Sequence, residues 1–102
     1  MDHKIKEIVE KVLETTPGVY GLTKLDYTNN AFEIVDRNSW HKYIYLSEHN
    51  NIFAVKISIV IKDNVSSKNI AQSLTKTIVF LANKQNIQIK EILIFIRGVI
   101  YE

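Results

Sequence analysis

Apolar and polar positions repeat with two different periods along the chain, and each period predicts one kind of element. Near the start, apolar residues recur at helical spacing with charged residues on the opposite side, which predicts an amphipathic helix. The apolar positions of this helix are Ile5, Ile8, Val9, Val12 and Leu13. Pro17 disfavours helical backbone at the residue before it and lacks an N–H donor, so the helix is expected to end within residues 15–18.

Two-residue alternation is clearest in residues 52–62, where isoleucine, valine and phenylalanine occupy every second position. A shorter strand is predicted at residues 43–46, and the polar residues 49–51 between them are typical of a turn. These segments together predict a β-hairpin. A break at Asp63 and Asn64 ends the second strand.

A second helix is predicted after Ser66 and Ser67, either of which can cap it. Its apolar stripe contains Ile70, Ala71, Leu74, Ile78, Leu81 and Ala82, whereas Phe80 falls outside the stripe. The last strand is predicted at residues 89–97, where Ile92, Ile94 and Ile96 alternate with Leu93, Phe95 and Arg97.

The predicted fold class is therefore α+β, a two-layer α/β sandwich in the order α-β-β-α-β formed by a single domain, 1–102. Both helices are expected on one face of a small mixed sheet, with the last two strands parallel through a right-handed helical crossover. Residues 19–42 are less regular. Gly18 and Gly21 suggest a tight connection with a short strand, and residues 31–35 are expected to form a helical turn that packs Phe32 and Val35 inward.

Composition narrows the functional classes. The chain has 46% hydrophobic and 24% charged residues, a formal net charge of +2 and no cysteine. Its basic residues are dispersed, which argues against a dedicated nucleic-acid binder, since such proteins concentrate positive charge on one surface. Without cysteine, disulfides and thiolate zinc sites are excluded. No secretory signal pattern is present and the most apolar run, residues 92–96, is too short to cross a bilayer, so a cytoplasmic protein is expected.

No arrangement of residues predicts catalysis, so we expect no enzyme activity, no cofactor and no metal. The histidines, His3, His41 and His49, form no ligand pair at helical or strand spacing, although a composite zinc site completed by carboxylates stays open as an alternative. Ser39 lies near His41 but lacks an orienting third group. Glu48 and Asp63 lie at strand ends, where solvated carboxylates are common.

The strongest functional feature is the sheet face away from the helices. Leu93 and Phe95 point opposite to the isoleucines of the last strand, so one of the two sets faces away from the helical layer. Apolar side chains left on an exposed sheet face are a ready protein-binding element. The candidate interaction surface consists of Leu93 and Phe95, joined by Val60, on this sheet face, with Phe80 beside the stripe of the second helix as a further contact. The alternative is that a loop, such as the segment with Trp40, folds over this face.

Three segments in order resemble the alkaline shock protein family, the Gls-type general stress and cell-envelope stress response proteins. They are residues 8–22, IVEKVLETTPGVYGL; residues 53–64, FAVKISIVIKDN; and residues 65–99, which end in LIFIRGV. The chain departs from the family at residues 62–64, where Lys-Asp-Asn replaces an acidic-aromatic-glycine turn, and is only loosely similar over residues 23–40.

The resemblance implies a non-enzymatic, cytoplasmic protein-interaction or scaffold module of bacterial envelope stress. It implies a protein partner, including further copies of the chain itself, and membrane contact only through a separate anchor protein. No catalytic residue is carried over from the family. The alternative function is a small RNA-binding α/β module, suggested by a sequence pI near 8.8 and by the aromatic residues Tyr43, Tyr45 and Phe95 in predicted strands.

Overall fold

The computed structural model describes residues 2–25 and 32–101. It contains two α-helices, one 3-10 helix and four β-strands. In chain order these are α1 (Asp2–Thr15), β1 (Val19–Thr23), the 3-10 helix (Arg37–Tyr43), β2 (Tyr45–His49), β3 (Ile52–Lys62), α2 (Ser67–Lys84) and β4 (Gln88–Ile100).

β3 is the centre of the sheet and pairs with every other strand. β1 and β2 both lie antiparallel along one edge of β3, β1 against its second half and β2 against its first half. β4 runs parallel along the other edge over the full length of β3. The predicted mixed sheet and the predicted parallel pairing of the last two strands are confirmed, and β1 is an additional strand beyond the α-β-β-α-β order.

The core forms between the helices and one face of this sheet. The buried stripes of α1 and α2 share a single cluster with the alternating residues Phe53, Val55, Ile57, Ile59 and Ile61 of β3. Both helices therefore lie on the same face, as the periodicity predicts. Apolar burial at roughly 25 cal/mol per Å² is the main contribution that holds the two layers together.

Two local features explain how the helices are joined to the sheet. Gly18, after α1, has a φ of +96°, which favours glycine, and an added Cβ would lie 2.8 Å from Ile70 Cδ1 and 2.9 Å from Val65 Cγ1. Because Gly18 has no side chain, the turn can pack directly against Val65 and Ile70 at the start of α2. Ser66 is the residue that caps α2, since its side chain accepts a hydrogen bond from Asn69 N at 3.2 Å.

The region between β1 and β2 differs from the prediction. Ala31 lies outside the described residues, and the segment after it is extended instead of helical: Ile34 bridges to Thr23, and Val35 N donates to Leu22 O at 2.8 Å. The helical turn predicted at residues 31–35 is therefore wrong. Pairing with β1 provides hydrogen-bond partners for backbone groups of this segment that would otherwise have been bonded within a helix.

Trp40 lies in the main core and not over the outer sheet face. It belongs to the 3-10 helix, is 8% exposed, and its indole Nε1 donates to Val35 O at 3.1 Å. Arg37 fixes the same helix to α1, because its Nε donates to Glu14 Oε2 at 3.1 Å. Tyr43 ends this helix, so the predicted strand at residues 43–46 is displaced to Tyr45–His49.

Candidate protein-interaction surface

The sheet face that points away from the helices, here called the outer face, contains four central rows of residues, each of which crosses three strands. The pairing registers of β3 with its neighbours define the rows. They are Gly21–Val60–Gly98, Thr23–Ser58–Phe95, Tyr45–Lys56–Leu93 and Ser47–Ala54–Glu91. The first two rows use β1 and the last two use β2. We call the first two rows the sealed half and the last two the exposed half.

The chain after residue 31 closes the sealed half. A Cβ on Gly21 would lie 3.0 Å from Ile34 Cγ2, and a Cβ on Gly98 would lie 2.5 Å from Phe32 Cε1. The absent side chains of these two glycines thus leave the space in which Phe32 and Ile34 lie. Val60, between the glycines, is 0% exposed.

A buried hydroxyl pair occupies the second row of the sealed half. Thr23 and Ser58 are each 1% exposed, and Thr23 Oγ1 donates to Ser58 Oγ at 2.7 Å. Buried polar groups are costly unless they are paired, and this hydrogen bond provides the partner. This row is therefore covered like the row through Val60, and its two hydroxyls bond to each other where water does not reach them.

The exposed half carries large side chains with no described segment above them. Leu93 is 40% exposed and Tyr45 is 37% exposed, at opposite ends of one row with Lys56 between them. Together with Leu25, Ala54 and Glu91 they line a shallow groove of about 370 Å³. The small side chain of Ala54 gives the groove its depth, and Lys56 and Glu91 place one charge of each sign beside it.

The four predicted site residues do not form one surface. Leu93 lies on the exposed half, whereas Phe95 is partly buried and belongs to the sealed half, in the row next to that of Leu93. Val60 is inaccessible, so its assignment to an interaction surface is corrected: the glycines on both sides of it admit Phe32 and Ile34 above it. Phe80, expected as a further contact on the second helix, lies on α2 in the other layer and is 57% exposed, with Lys84 Nζ 4.7 Å from its ring centroid.

Two residues that line the groove, Tyr45 and Leu25, were not assigned to the protein-interaction surface from the sequence. Tyr45 could have been found, because in a hairpin it alternates with Leu46, which packs against the core. Leu25 had no comparable signal, since it lies after β1 in a segment without periodicity. The three aromatic residues suggested as a stacking platform for RNA do not lie together. Tyr43 packs against the core from the 3-10 helix, while Tyr45 and Phe95 lie in different rows.

The other residues considered for chemistry lie apart. Glu48 pairs with Phe53 at the start of β3, while Asp63 follows its end, so roughly 30 Å of strand separates them at ~3.3 Å per residue. Glu48 Oε2 instead accepts from Asn51 N at 3.0 Å within the hairpin turn. Within residues 2–25 and 32–101 no group of three or more histidines and carboxylates is arranged to hold a metal ion.

Comparison with protein-family models, with curated proteins and with solved structures finds no match to this chain. None of the helices in the described part of the chain is long and apolar enough to cross a membrane. The geometry of the outer face and the sequence itself are therefore the basis for a functional proposal.

Proposed function

We propose that this chain is a non-enzymatic protein-interaction module, of the scaffold or adaptor kind, that contacts a protein partner through the exposed half of its outer face. The observation that carries the proposal is the row Tyr45–Lys56–Leu93, in which two large apolar side chains remain more than one-third exposed on a rigid sheet. The adjacent rows show that this fold can cover its outer face, since it does so over Val60.

The exposed half combines the features of a small interface core and rim. Tyrosine and leucine supply apolar area, and full burial of such a side chain is worth roughly 1.5–3 kcal/mol, of which the exposed fraction is still to be gained. Lys56 and Glu91 would orient a partner that presents the opposite charges. The groove is open to solvent on its outer side, so a partner's side chain can enter it from above.

The resemblance to the alkaline shock protein family supports the same proposal and makes it more specific. On that basis we propose that the module serves cell-envelope stress or homeostasis in the cytoplasm of a bacterium. Contact with the membrane would then pass through an anchor protein. This part of the proposal rests on segments 8–22, 53–64 and 65–99 and not on the outer face.

Site-directed cross-linking tests the proposal, because the chain has no cysteine of its own. Leu93→Cys and Phe80→Cys are each labelled with a photoreactive probe and irradiated in extract from the native cells. Phe80 is the matched control, since it is also an exposed apolar residue but lies on α2. We expect a discrete set of proteins cross-linked from residue 93 and absent from residue 80.

Other results would change the proposal in defined ways. The same products from both positions, or none from residue 93, would contradict the exposed half as the contact surface. Products from residue 80 alone would move the interface to α2. Products that disappear after ribonuclease treatment would favour the RNA-binding alternative, because the contact would then depend on nucleic acid.

A further inference from the structure

The groove of the exposed half has its two charges on one diagonal. In the register of β3 with β4, Lys56 is opposite Leu93 and Ala54 is opposite Glu91, so Lys56 and Glu91 are diagonal neighbours. Neighbouring strands lie about 4.8 Å apart and two residues of a strand span about 6.6 Å, which places the Cα atoms of Lys56 and Glu91 about 8 Å apart. Ala54 and Leu93 lie on either side of this diagonal.

Both charges are open to a partner. Lys56 and Glu91 are exposed, and neither takes part in an ion pair within residues 2–25 and 32–101. Ion pairs of the described chain instead involve Glu7, Glu10 and Glu14 of α1, in the other layer. Two unpaired charges of opposite sign beside apolar side chains form a surface that a partner with the complementary charges can match.

An apolar corner lies on the β2 side of Lys56, away from Glu91. Tyr45 is opposite Lys56 on β2, and Leu25 follows the end of β1 by two residues. Both line the groove, with Tyr45 37% exposed and Leu25 partly exposed. From β2 to β4 the groove therefore presents, in order, an apolar corner, a positive charge and a negative charge.

We propose that this groove binds an extended segment of a partner protein that carries an apolar, an acidic and a basic residue at alternate positions, in that order. This inference rests on the proposed function and deepens it by naming the chemistry of the partner. Alternate side chains of an extended segment share one face and lie roughly 7 Å apart, close to the spacing of Lys56 and Glu91. The acidic side chain then meets Lys56, the basic side chain meets Glu91, and the apolar side chain enters the corner.

A helix fits this site less well than an extended segment. Tyr45 and Leu93 are the large side chains on either side of Lys56, and two strand spacings place their Cα atoms about 10 Å apart. A helix with its side chains is about 10–12 Å across, so it would rest on Tyr45 and Leu93 and leave the space above Ala54 empty. An extended backbone is narrower and can bring its side chains to the floor of the groove.

The order of the groups sets the direction of the bound segment. A segment in the reverse direction would place its basic residue in the apolar corner of Leu25 and Tyr45 and its apolar residue beside Glu91. Exchange of the acidic and basic residues would put like charges together at both Lys56 and Glu91. Unfavourable contacts of this kind reject the wrong sequence, so the groove selects an order of residues and not only a composition.

Titration of the isotope-labelled chain with two synthetic peptides, followed by NMR, tests this order. The complementary peptide is acetyl-Gly-Leu-Ser-Glu-Ser-Lys-Gly-amide, and the swapped peptide exchanges its glutamate and lysine. We expect the complementary peptide to shift amide resonances within residues 45–47, 54–56 and 91–93, with a dissociation constant on the order of 1 mM or below. The swapped peptide should bind at least about fivefold more weakly. Both peptides are compared on the parent chain, so this result does not depend on any variant folding.

Charge reversal in the chain gives the reciprocal test. Lys56→Glu should weaken binding of the complementary peptide about fivefold, and Lys56→Glu with Glu91→Lys should bind the swapped peptide more tightly than the complementary one. Lys76→Glu is the matched control, since it makes the same change in net charge at an exposed site on α2. Binding by this control should stay within about twofold of the parent. Equal losses in Lys56→Glu and Lys76→Glu would overturn the inference, because net charge alone would then explain them.

Three further results would overturn the inference. They are equal binding of the two peptides, no shift in residues 45–47, 54–56 and 91–93 up to about 5 mM peptide, and a hexauridine oligonucleotide that shifts these amides more strongly than the complementary peptide. Cross-links from residue 93 to a cell protein, without peptide binding, would remove the proposed segment chemistry and leave the proposed function in place. Failure of the inference is therefore distinguishable from failure of the proposed function.

Discussion

The two halves of the outer face share β3 and β4, yet one half is covered by another segment of the chain and the other half is exposed. In the sealed half the row through Val60 ends in glycine on both sides, and the covering residues Phe32 and Ile34 occupy the space left free. In the exposed half the row through Lys56 ends in Tyr45 and Leu93, which project where a covering chain would have to lie.

Whether a segment of the chain covers part of this sheet therefore depends on the size of the side chains there as much as on their polarity. Val60 and Leu93 are both apolar and both point away from the helices, but only Val60 lies between residues that lack a Cβ. A chain segment can approach a glycine-flanked row closely enough to exclude water. Over Tyr45 and Leu93 no segment of residues 2–25 or 32–101 approaches in this way, and both side chains remain more than one-third exposed.

The largest expected effect is on the free energy of unfolding when a carboxylate is placed in each half. Val60→Asp puts an unpaired charge in a fully buried site and should lower the unfolding free energy by roughly 3–5 kcal/mol. The matched Leu93→Asp should lower it by at most about 1 kcal/mol, because its site reaches water. Urea denaturation compares the two, and equal losses would contradict the division of the face.

A smaller change in the free energy of unfolding is expected for Gly98→Ala, and its sign should depend on whether Phe32 is present. The φ of Gly98 is not in the left-handed region, so alanine can adopt this backbone conformation without strain. The only close contacts of an added Cβ are with the ring of Phe32. Gly98→Ala should destabilise the parent by about 1 kcal/mol through displacement of the ring. In a Phe32→Ala background the same change should stabilise by about 0.5 kcal/mol, because it reduces the entropy of the unfolded chain.

A double-mutant cycle on Gly98 and Phe32 measures this coupling directly. Additive effects would show that the ring does not lie on the glycine. The cycle is informative even though Phe32→Ala is destabilising by itself, since only the difference between the two backgrounds is used.

An effect on stability of about the same size as that of Gly98→Ala in the parent, but without a change of sign, is expected at the hydroxyl pair. Ser58→Ala removes the acceptor of the Thr23 hydroxyl in a site that is 1% exposed, and should cost about 1 kcal/mol of stability. The same substitution at Ser47, which is exposed in the other half, should stay within about 0.5 kcal/mol. Thermal unfolding of both variants measures the difference, and a Ser58→Ala variant as stable as Ser47→Ala would indicate that water reaches the pair.

Most of the layer structure could be predicted from periodicity. Helical spacing in residues 5–13 and 70–82 gives the two buried stripes, and two-residue alternation in 52–62 and 89–97 gives the two long strands. These patterns are strong because each element buries one face against the same core. β1 was only suggested, since five residues with a bulge at Tyr20 carry too little alternation.

The outer face could be predicted only in part. Alternation places Leu93 and Phe95 opposite to the isoleucines, but it does not say whether another segment lies above them. That depends on the contact of Phe32 with Gly98, two residues far apart in sequence, and on the extended path of Ile34 beside Thr23. Local pattern carries no information on such long-range contacts, so Leu93 is exposed as expected whereas Val60 is buried.

Cysteine labelling tests the division of the outer face most directly, because the chain contains no other thiol. Val60→Cys and Leu93→Cys are each treated with a thiol reagent under native conditions and, as a reference, in denaturant. The cysteine at residue 93 is expected to react within about tenfold of its rate in the unfolded chain, and the cysteine at residue 60 at least about a hundredfold more slowly, since it requires local opening. Comparable native rates at the two positions would contradict the existence of a sealed and an exposed half.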